Sequence, residues 1–407
     1  MNIFSSSQRL LLVLGCALII AACGKSGDNK PSTNNGNGNG NNPDTTTHTP
    51  PPATQADVKA VDDQMNAFMA KYNVPGACIA ITKGEKLVYV KSYGYSDKEA
   101  STKAANTDLY RIASLSKQFT SVAIMKLMEQ GKLDLKSTLF GTNGLFGNKY
   151  NASGNYNNYV TTVTIDQLLH HTAGGWQNDA NDPMFQNNTM TADQLITWTL
   201  ANQPLSYQPG THYAYSNFGY CLLGRVIEKI TGKSYADAVK DLVLTPCGIT
   251  DMTIGGNTLA DRLPNEVKYY GQSGADPYNF NLKRMDSHGG WVASATDLAR
   301  FLVYVDSFTV RKDILAPATE KIMLTASAAY NGYACGWGVN SLGNYFHTGS
   351  LPGEGSEQAR LSNGYNFVIL CNSREEGYND DFFNDQDQIF WKALANNPTF
   401  ADTDQFK

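Results

Sequence analysis

Strand-like runs sit at the two ends of the patterned part of this chain, and helix-like runs fill the middle. Near the start, Ala77 to Thr82 and Lys86 to Tyr93 are apolar runs separated by Lys83, Gly84 and Glu85, a hairpin signal. Near the end, Tyr345 to Gly349, Glu357 to Leu361 and Asn366 to Cys371 read as three more strands. Between them, Ser116 to Glu129, Ile165 to His170, Ala192 to Ala201, Asn217 to Thr231, Tyr235 to Val243 and Ala295 to Val305 read as helices. A helix with Val58, Val61, Met65, Phe68 and Met69 in phase precedes the first strand and ends before Val74, Pro75 and Gly76, and Phe382 to Leu394 closes the chain. Strands from opposite ends must meet in one sheet to bury their apolar faces. The expected class is α/β (α+β): an antiparallel sheet flanked by terminal helices, with a mostly helical lobe inserted in it. The sheet lobe takes about 56–113 and 285–400, and the helical lobe about 114–284. A cleft between two lobes is the default place for a ligand.

The residues before this pattern follow other rules. Arg9 supplies a positive start, Leu10 to Ile20 an apolar stretch too short to span a membrane, and Ala21, Ala22 and Cys23 a small-residue end. Residues 1–22 are therefore expected to be a signal peptide. Ile20 to Cys23 resembles the bacterial lipobox, which implies cleavage before Cys23 and a lipid on its sulfur; ordinary secretory cleavage is the alternative. Residues 23–55 are Asn, Gly, Thr, Pro and Ser with almost no apolar residue, a composition that cannot offset the entropy of ordering. Extended, that tether would reach on the order of 100 Å. The expected setting is the bacterial cell envelope, lipid-anchored, periplasmic or surface-exposed.

At 407 residues and 42% hydrophobic content, the chain buries a large core, which excludes a disordered or fibrous protein. Its net charge of −5, with Lys and Arg scattered, leaves no footprint for nucleic acid. A small molecule or peptide of modest charge fits better as substrate, and a monomer is expected. With Cys16 discarded and Cys23 lipidated, Cys78, Cys221, Cys247, Cys335 and Cys371 remain, with no zinc-like or redox-like spacing. Cys78 and Cys371 sit in strand-like runs and read as small buried hydrophobes. His170 and His171 are adjacent and no H-E-x-x-H occurs, so neither a metal nor another cofactor is expected.

Three short strings carry the chemistry. Ser114, Leu115, Ser116, Lys117 lies where a strand-like segment, Leu109 to Ile112, gives way to a helix. Residues i and i+3 share a helix face, so Lys117 can reach the Ser114 hydroxyl, and the free donors and positive dipole end of the helix favour a neutral lysine and a developing oxyanion. Alone, this string is also what an N-capping serine and a surface lysine would give. Tyr215, Ser216, Asn217 follows a Pro209, Gly210 turn and opens a helix; the phenol can pass a proton and the amide can hold a substrate's backbone. A copy at Tyr156, Asn157, Asn158 lies in the Asn-rich loop Gly141 to Tyr159 with no helix attached and is set aside. His347, Thr348, Gly349 lies on an expected strand, where the ring and hydroxyl can contact substrate and Gly349 allows close approach to the backbone.

Together these strings resemble the serine beta-lactamase and penicillin-recognising enzyme family, especially its class C beta-lactamase, D-alanyl-D-alanine carboxypeptidase and esterase branch. The resemblance runs from about Asp57 to Leu394 and includes TIDQLLHHTAG from Thr164, GTHYAYSNFGYCLLGRVIEKITGKSY from Gly210, GGWVASATDLARFL from Gly289 and GWGV from Gly336. It implies a beta-lactamase/transpeptidase-like fold. It also implies Ser114 as acylated nucleophile, Lys117 and Tyr215 as proton-transfer pair, and the N–H groups of Ser114 and Ser350 as the oxyanion hole. Asn217, His347, Thr348 and Gly349 become substrate contacts, and His171 with Thr172 a brace beside the site. Many members carry Lys where this chain has His347, and a neutral imidazole attracts a carboxylate less than an ammonium does. Glu354 would add negative charge near the cleft. Trp176, Trp291 and Trp337 either line the cleft or fill the core.

The expected activity is hydrolysis of a D-amino-acid peptide or an ester through an acyl-enzyme. Weak beta-lactam turnover, transfer of the acyl group to another acceptor, and a catalytically silent envelope binding protein are the alternatives.

Overall fold

Alternation along the first strand decides which layer each side chain joins. In the computed structural model, which describes residues 57–376 and 380–406, Ala77, Ile79 and Ile81 face one hydrophobic cluster while Cys78 and Ala80 face another. The expected leader, Cys23 and tether lie outside the described residues. The strands are β1 (Gly76–Lys83), β2 (Lys86–Asp97), β3 (Thr102–Lys103), β4 (Tyr110–Arg111), β5 (Thr253–Ile254), β6 (Trp291–Ala293), β7 (Gly338–Val339), β8 (Tyr345–Leu351), β9 (Glu354–Arg360) and β10 (Tyr365–Cys371). Seven of them form one antiparallel sheet in the order β3-β2-β1-β10-β9-β8-β7. The two ends of the chain meet where β1 lies between β2 and β10, with Ile79 opposite both Lys91 and Ile369.

The helices are α1 (Lys59–Lys71), α2 (Ser116–Glu129), α3 (Ile165–Leu169), α4 (Ala192–Asn202), α5 (Asn217–Thr231), α6 (Tyr235–Val239), α7 (Ala295–Leu302), α8 (Pro317–Met323) and α9 (Asp380–Ala395). Helices α1 and α9 cover one sheet face: Val61, Met65 and Phe68 of the first and Phe382, Ile389 and Phe390 of the second join Ile79, Ile81, Phe367 and Ile369. Each such side chain, fully buried, stabilises the fold by about 1.5–3 kcal/mol before entropy is counted. The other face meets α7 and, beyond it, the helical lobe. Helix α2 is buried almost all round, with only Lys126, Met128 and Glu129 partly exposed, so it runs through the core as a pillar.

Differences from the sequence reading have local causes. The expected strand Leu109 to Ile112 shrinks to β4 and belongs to a second sheet, β4-β6-β5, because its partner is Trp291–Ala293 and not a long strand. Helix α6 stops at Val239, and a π-helical turn over Lys240–Leu244 follows. Helix α8 is seven residues long with Pro317 in its first turn, too short to show a period. Strand β9 starts three residues before its expected beginning, at polar residues whose burial the sequence does not announce. Cys78, Cys221, Cys247, Cys335 and Cys371 are all buried free thiols. Trp176, Trp291 and Trp337 are buried too, which settles them as core residues.

Candidate active site

The chain turns sharply between β4 and α2. Ala113 takes φ +41°, a left-handed conformation that costs a residue with a side chain about 1–2 kcal/mol, and a 3-10 turn over Ala113–Leu115 leads into α2. This kink leaves Ser114 half-buried at the head of the helix. One turn on, Lys117 is fully buried, and its Nζ lies 3.0 Å from Ser114 Oγ, 2.7 Å from Asn217 Oδ1 and 2.9 Å from the His288 carbonyl oxygen. Burial pushes its pKa well below the usual lysine value, against the pull of the Asp182 charge. A neutral amine has two hydrogens and one lone pair. The amide oxygen and the carbonyl can only accept, so they take both hydrogens, and the lone pair is left for the Ser114 hydroxyl proton. That is the arrangement of a general base.

Asn217, the first residue of α5, is fixed from behind. Its Nδ2 donates to Asp182 Oδ2 at 2.6 Å, which orients Oδ1 toward Lys117 and leaves a second Nδ2 hydrogen uncommitted in this pair. Asp182 also accepts from the Met184 N–H at 2.9 Å, and burial pushes its pKa up to about 6. The loop that carries it is held by buried Arg284, which donates to the backbone carbonyls of Met184, Gln186, Asn187 and Met190. Tyr215 stands just before the cap of α5, where the Ser216 hydroxyl accepts from the Gly219 N–H. Lys117 Nζ lies 4.7 Å from the Tyr215 ring centroid. The copy at Tyr156 is elsewhere: its hydroxyl donates to the Gly147 carbonyl and its ring packs on Phe140.

Strand β8 forms the opposite wall. Beyond Phe346, which pairs with Gly338, no strand among the described residues covers the outer edge of His347 to Leu351. The strand passes so near the nucleophile's turn that a Cβ on Gly349 would lie 2.5 Å from the Ile112 carbonyl and 3.1 Å from Ala113 Cβ. Only glycine fits, so β8 packs against the turn that carries Ser114; the N–H groups of Ser114 and Ser350 are the expected oxyanion donors. Thr348 is half-buried and Ser350 exposed.

His347 is almost fully buried, and both its ring nitrogens have partners inside the protein. Nε2 lies 2.9 Å from the Tyr333 hydroxyl and Nδ1 lies 2.6 Å from the Thr348 carbonyl. Tyr333 also lies 3.3 Å from His171 Nε2, and His171 Nδ1 accepts from the Ser216 N–H at 3.0 Å. His171 and Thr172 are the expected brace, since their carbonyls also accept from Ala214 and Gly210. Burial, first of all, holds His347 down to about 3. Among the described residues no cluster of His, Cys, Asp or Glu has metal-binding geometry.

Glu354 is a correction. It is wholly buried at the start of β9, and burial pushes its pKa up to about 8, so at neutral pH it is mostly an uncharged acid and adds little negative charge. The sequence reading also missed three contributors. Asp182 follows an Asn and precedes a Pro, a turn signal, but no spacing ties it to Asn217. Tyr333 has no motif of its own, and His288 acts through a backbone carbonyl that no side-chain pattern can reveal.

The family model described as Beta-lactamase matches residues 61–388. The chain belongs to the beta-lactamase family. This family is one of serine hydrolases, and the mixed fold with its antiparallel sheet agrees with it. Protein flp of Staphylococcus aureus (strain MRSA252) is 28% identical over 332 residues, which cover 79% of this chain and 64% of that protein. The beta-lactamase-family chain thus spans somewhat less than two thirds of the length of this relative. Among solved structures, the octameric penicillin-binding protein homologue from Pyrococcus abyssi superposes with TM-score 0.66 at 24% identity, over 84% of this chain and 78% of that one. The D-amino acid amidase from Ochrobactrum anthropi SV3 complexed with L-phenylalanine gives TM-score 0.68 at 22% identity, over 83% and 98%.

Proposed function

We propose that this beta-lactamase-family chain hydrolyses a D-amino-acid peptide or an ester through an acyl-enzyme on Ser114. The observation that carries the proposal is the three-point hold on buried Lys117, which leaves a lone pair aimed at the serine hydroxyl. Ser114 Oγ attacks the substrate carbonyl carbon while its proton passes to Lys117 Nζ. The charge on the carbonyl oxygen is met by the N–H groups of Ser114 and Ser350. The tetrahedral adduct collapses, the bond to the leaving group breaks, and the leaving atom takes a proton from Lys117, relayed by Tyr215. Water then repeats the sequence on the ester, with its proton going back through the same pair, and the acid product leaves with Ser114 restored. The D-amino-acid class is taken from the name of one structural neighbour, the D-amino acid amidase.

Incubation of the protein with a fluorophosphonate and with a labelled penicillin, followed by mass spectrometry, tests this. Adducts with both at Ser114 are expected of a penicillin-recognising peptidase, and with the first alone of an esterase. No adduct at Ser114 refutes the hydrolase and favours a silent binding protein. We further propose that the chain acts as a monomer tethered to the bacterial envelope by lipid on Cys23; a Cys23→Ser protein that still partitions with membranes contradicts the tether.

A further inference from the structure

Five groups form one hydrogen-bonded line across the top of the site: the Ser216 N–H, His171, Tyr333, His347 and the Thr348 carbonyl. Its two ends are backbone groups with fixed roles, and they determine every proton between. The Ser216 N–H can only donate, so His171 Nδ1 is bare and His171 Nε2 carries the ring's hydrogen, which points at the Tyr333 oxygen. The Thr348 carbonyl can only accept, so His347 Nδ1 carries a hydrogen, and in the neutral ring Nε2 is bare. The hydroxyl of Tyr333 therefore donates to His347 Nε2. Protonating His347 would aim two ring N–H groups at one phenol oxygen and turn the phenol hydrogen away from His347 toward the neighbouring Tyr220 hydroxyl, inside a buried pocket where rearranging such a network is costly.

We infer that Tyr333 is a specificity-determining residue which locks His347 as a neutral acceptor, so that the site selects acyl donors whose leaving-group end is uncharged. The inference rests on the acyl-enzyme reading above and adds the chemistry of the leaving group to it. The groups around His347 point the same way. Its ring faces Tyr333 and Tyr215, and both His171 and Lys117 are held toward their neutral forms by burial. Behind Asn217 stands the Asp182 carboxyl. At the far end of β8, Arg374 donates to the Leu351 and Glu375 carbonyls and pairs with Glu376 at 2.8 Å, so its charge is already matched. Among the described residues named here, a leaving group that ends in a carboxylate meets no unpaired cation, whereas an amide or ester end can use the Thr348 hydroxyl and the strand backbone.

The test compares two esters of one N-acyl-D-alanine, one of glycolate and one of glycolamide, which differ only in the charge of the leaving-group end. The wild-type protein is expected to favour the glycolamide ester by tenfold or more in kcat/KM, since a charge-assisted hydrogen bond that is not on offer forgoes about tenfold to a hundredfold. Tyr333→Phe removes the donor, frees His347 Nε2 to take a proton beside a carboxylate, and is expected to shrink that preference by about tenfold. Equal rates on the two esters in the wild type, or an equal fall on both in Tyr333→Phe, overturns the inference. A second measurement needs no variant: ring nitrogen shifts of His347 at pH 7 are expected to show Nδ1 protonated and Nε2 bare, and a cationic ring overturns the lock. Fluorophosphonate labelling of the same wild-type preparation separates the two ideas. No label at Ser114 refutes the hydrolase and the selectivity together, while normal labelling with equal ester rates refutes the selectivity alone.

Discussion

Gly349→Ala tests whether the site depends on the close passage of β8 over the nucleophile's turn. The new Cβ would fall 2.5 Å from the Ile112 carbonyl oxygen, 3.1 Å from Ala113 Cβ and well inside contact with Ser356 Oγ. The serine hydroxyl can rotate away, at the cost of its hydrogen bond to the same Ile112 carbonyl at 3.1 Å. The carbonyl cannot move so easily, because it also accepts from the Leu115 N–H in the turn that carries Ser114. Ordinary carbon–oxygen contact is near 3.4 Å, so strand and turn must part by about 1 Å. Overpacking of this size costs about 1–3 kcal/mol of stability, and a shift of about 1 Å between nucleophile and oxyanion donors costs about a hundredfold in rate. Urea unfolding and the rate of fluorophosphonate labelling at Ser114 measure the two effects. Ser356→Ala added to Gly349→Ala is expected to recover part of the stability and little of the labelling rate. Wild-type labelling by Gly349→Ala, or full rescue by the double variant, would refute the argument that backbone against backbone sets this wall.

Lys117→Met is expected to slow labelling by about a hundredfold to ten-thousandfold, the span of a lost general base. In the intact protein, kcat/KM should rise with pH as Lys117 loses its proton. Because the Asp182 charge favours the protonated amine, Asp182→Asn should move that acid limb to lower pH while reducing the maximum through a misplaced Asn217. An acid limb that does not move would show that Asp182 and Lys117 are not coupled. Glu354 titrates near 4.5 when unfolded and about 8 when folded, so the folded state keeps a proton that the unfolded chain has lost, and stability falls as pH rises through that window. Glu354→Gln should remove this fall, gaining on the wild type by up to about 1.4 kcal/mol per pH unit between pH 5 and 8 in urea titrations; parallel pH profiles would refute it. With His347 neutral, purified protein should turn over cephalosporins slowly at pH 7, and efficient hydrolysis measured by absorbance would contradict that.

What the sequence discloses and what it hides divide along a physical line. Sheet strands from both chain ends and the helix Asn217–Thr231 are legible because their apolar residues recur in a pattern of consecutive residues, and the pillar helix Ser116–Glu129 because a long run without Gly or Pro continues from the serine-lysine string. Ser114 and Lys117 are legible for the same reason, since one helix turn fixes their distance. Asp182 and Tyr333 are not, because their partners at Asn217 and His347 are 35 and 14 residues away and are met only when loops fold over the cleft. The error at Glu354 has a related origin. A carboxylate between two expected strands and next to a cleft looks charged in sequence, and only the burial of β9 shows that it keeps its proton. Motifs thus name the groups that react, while their protonation states are set by neighbours distant in sequence: a carbonyl at His288, a carboxyl at Asp182, a phenol at Tyr333. The proposed selectivity of this chain therefore rests as much on burial and on Tyr333, which favour neutral Lys117 and His347, as on the motif side chains themselves.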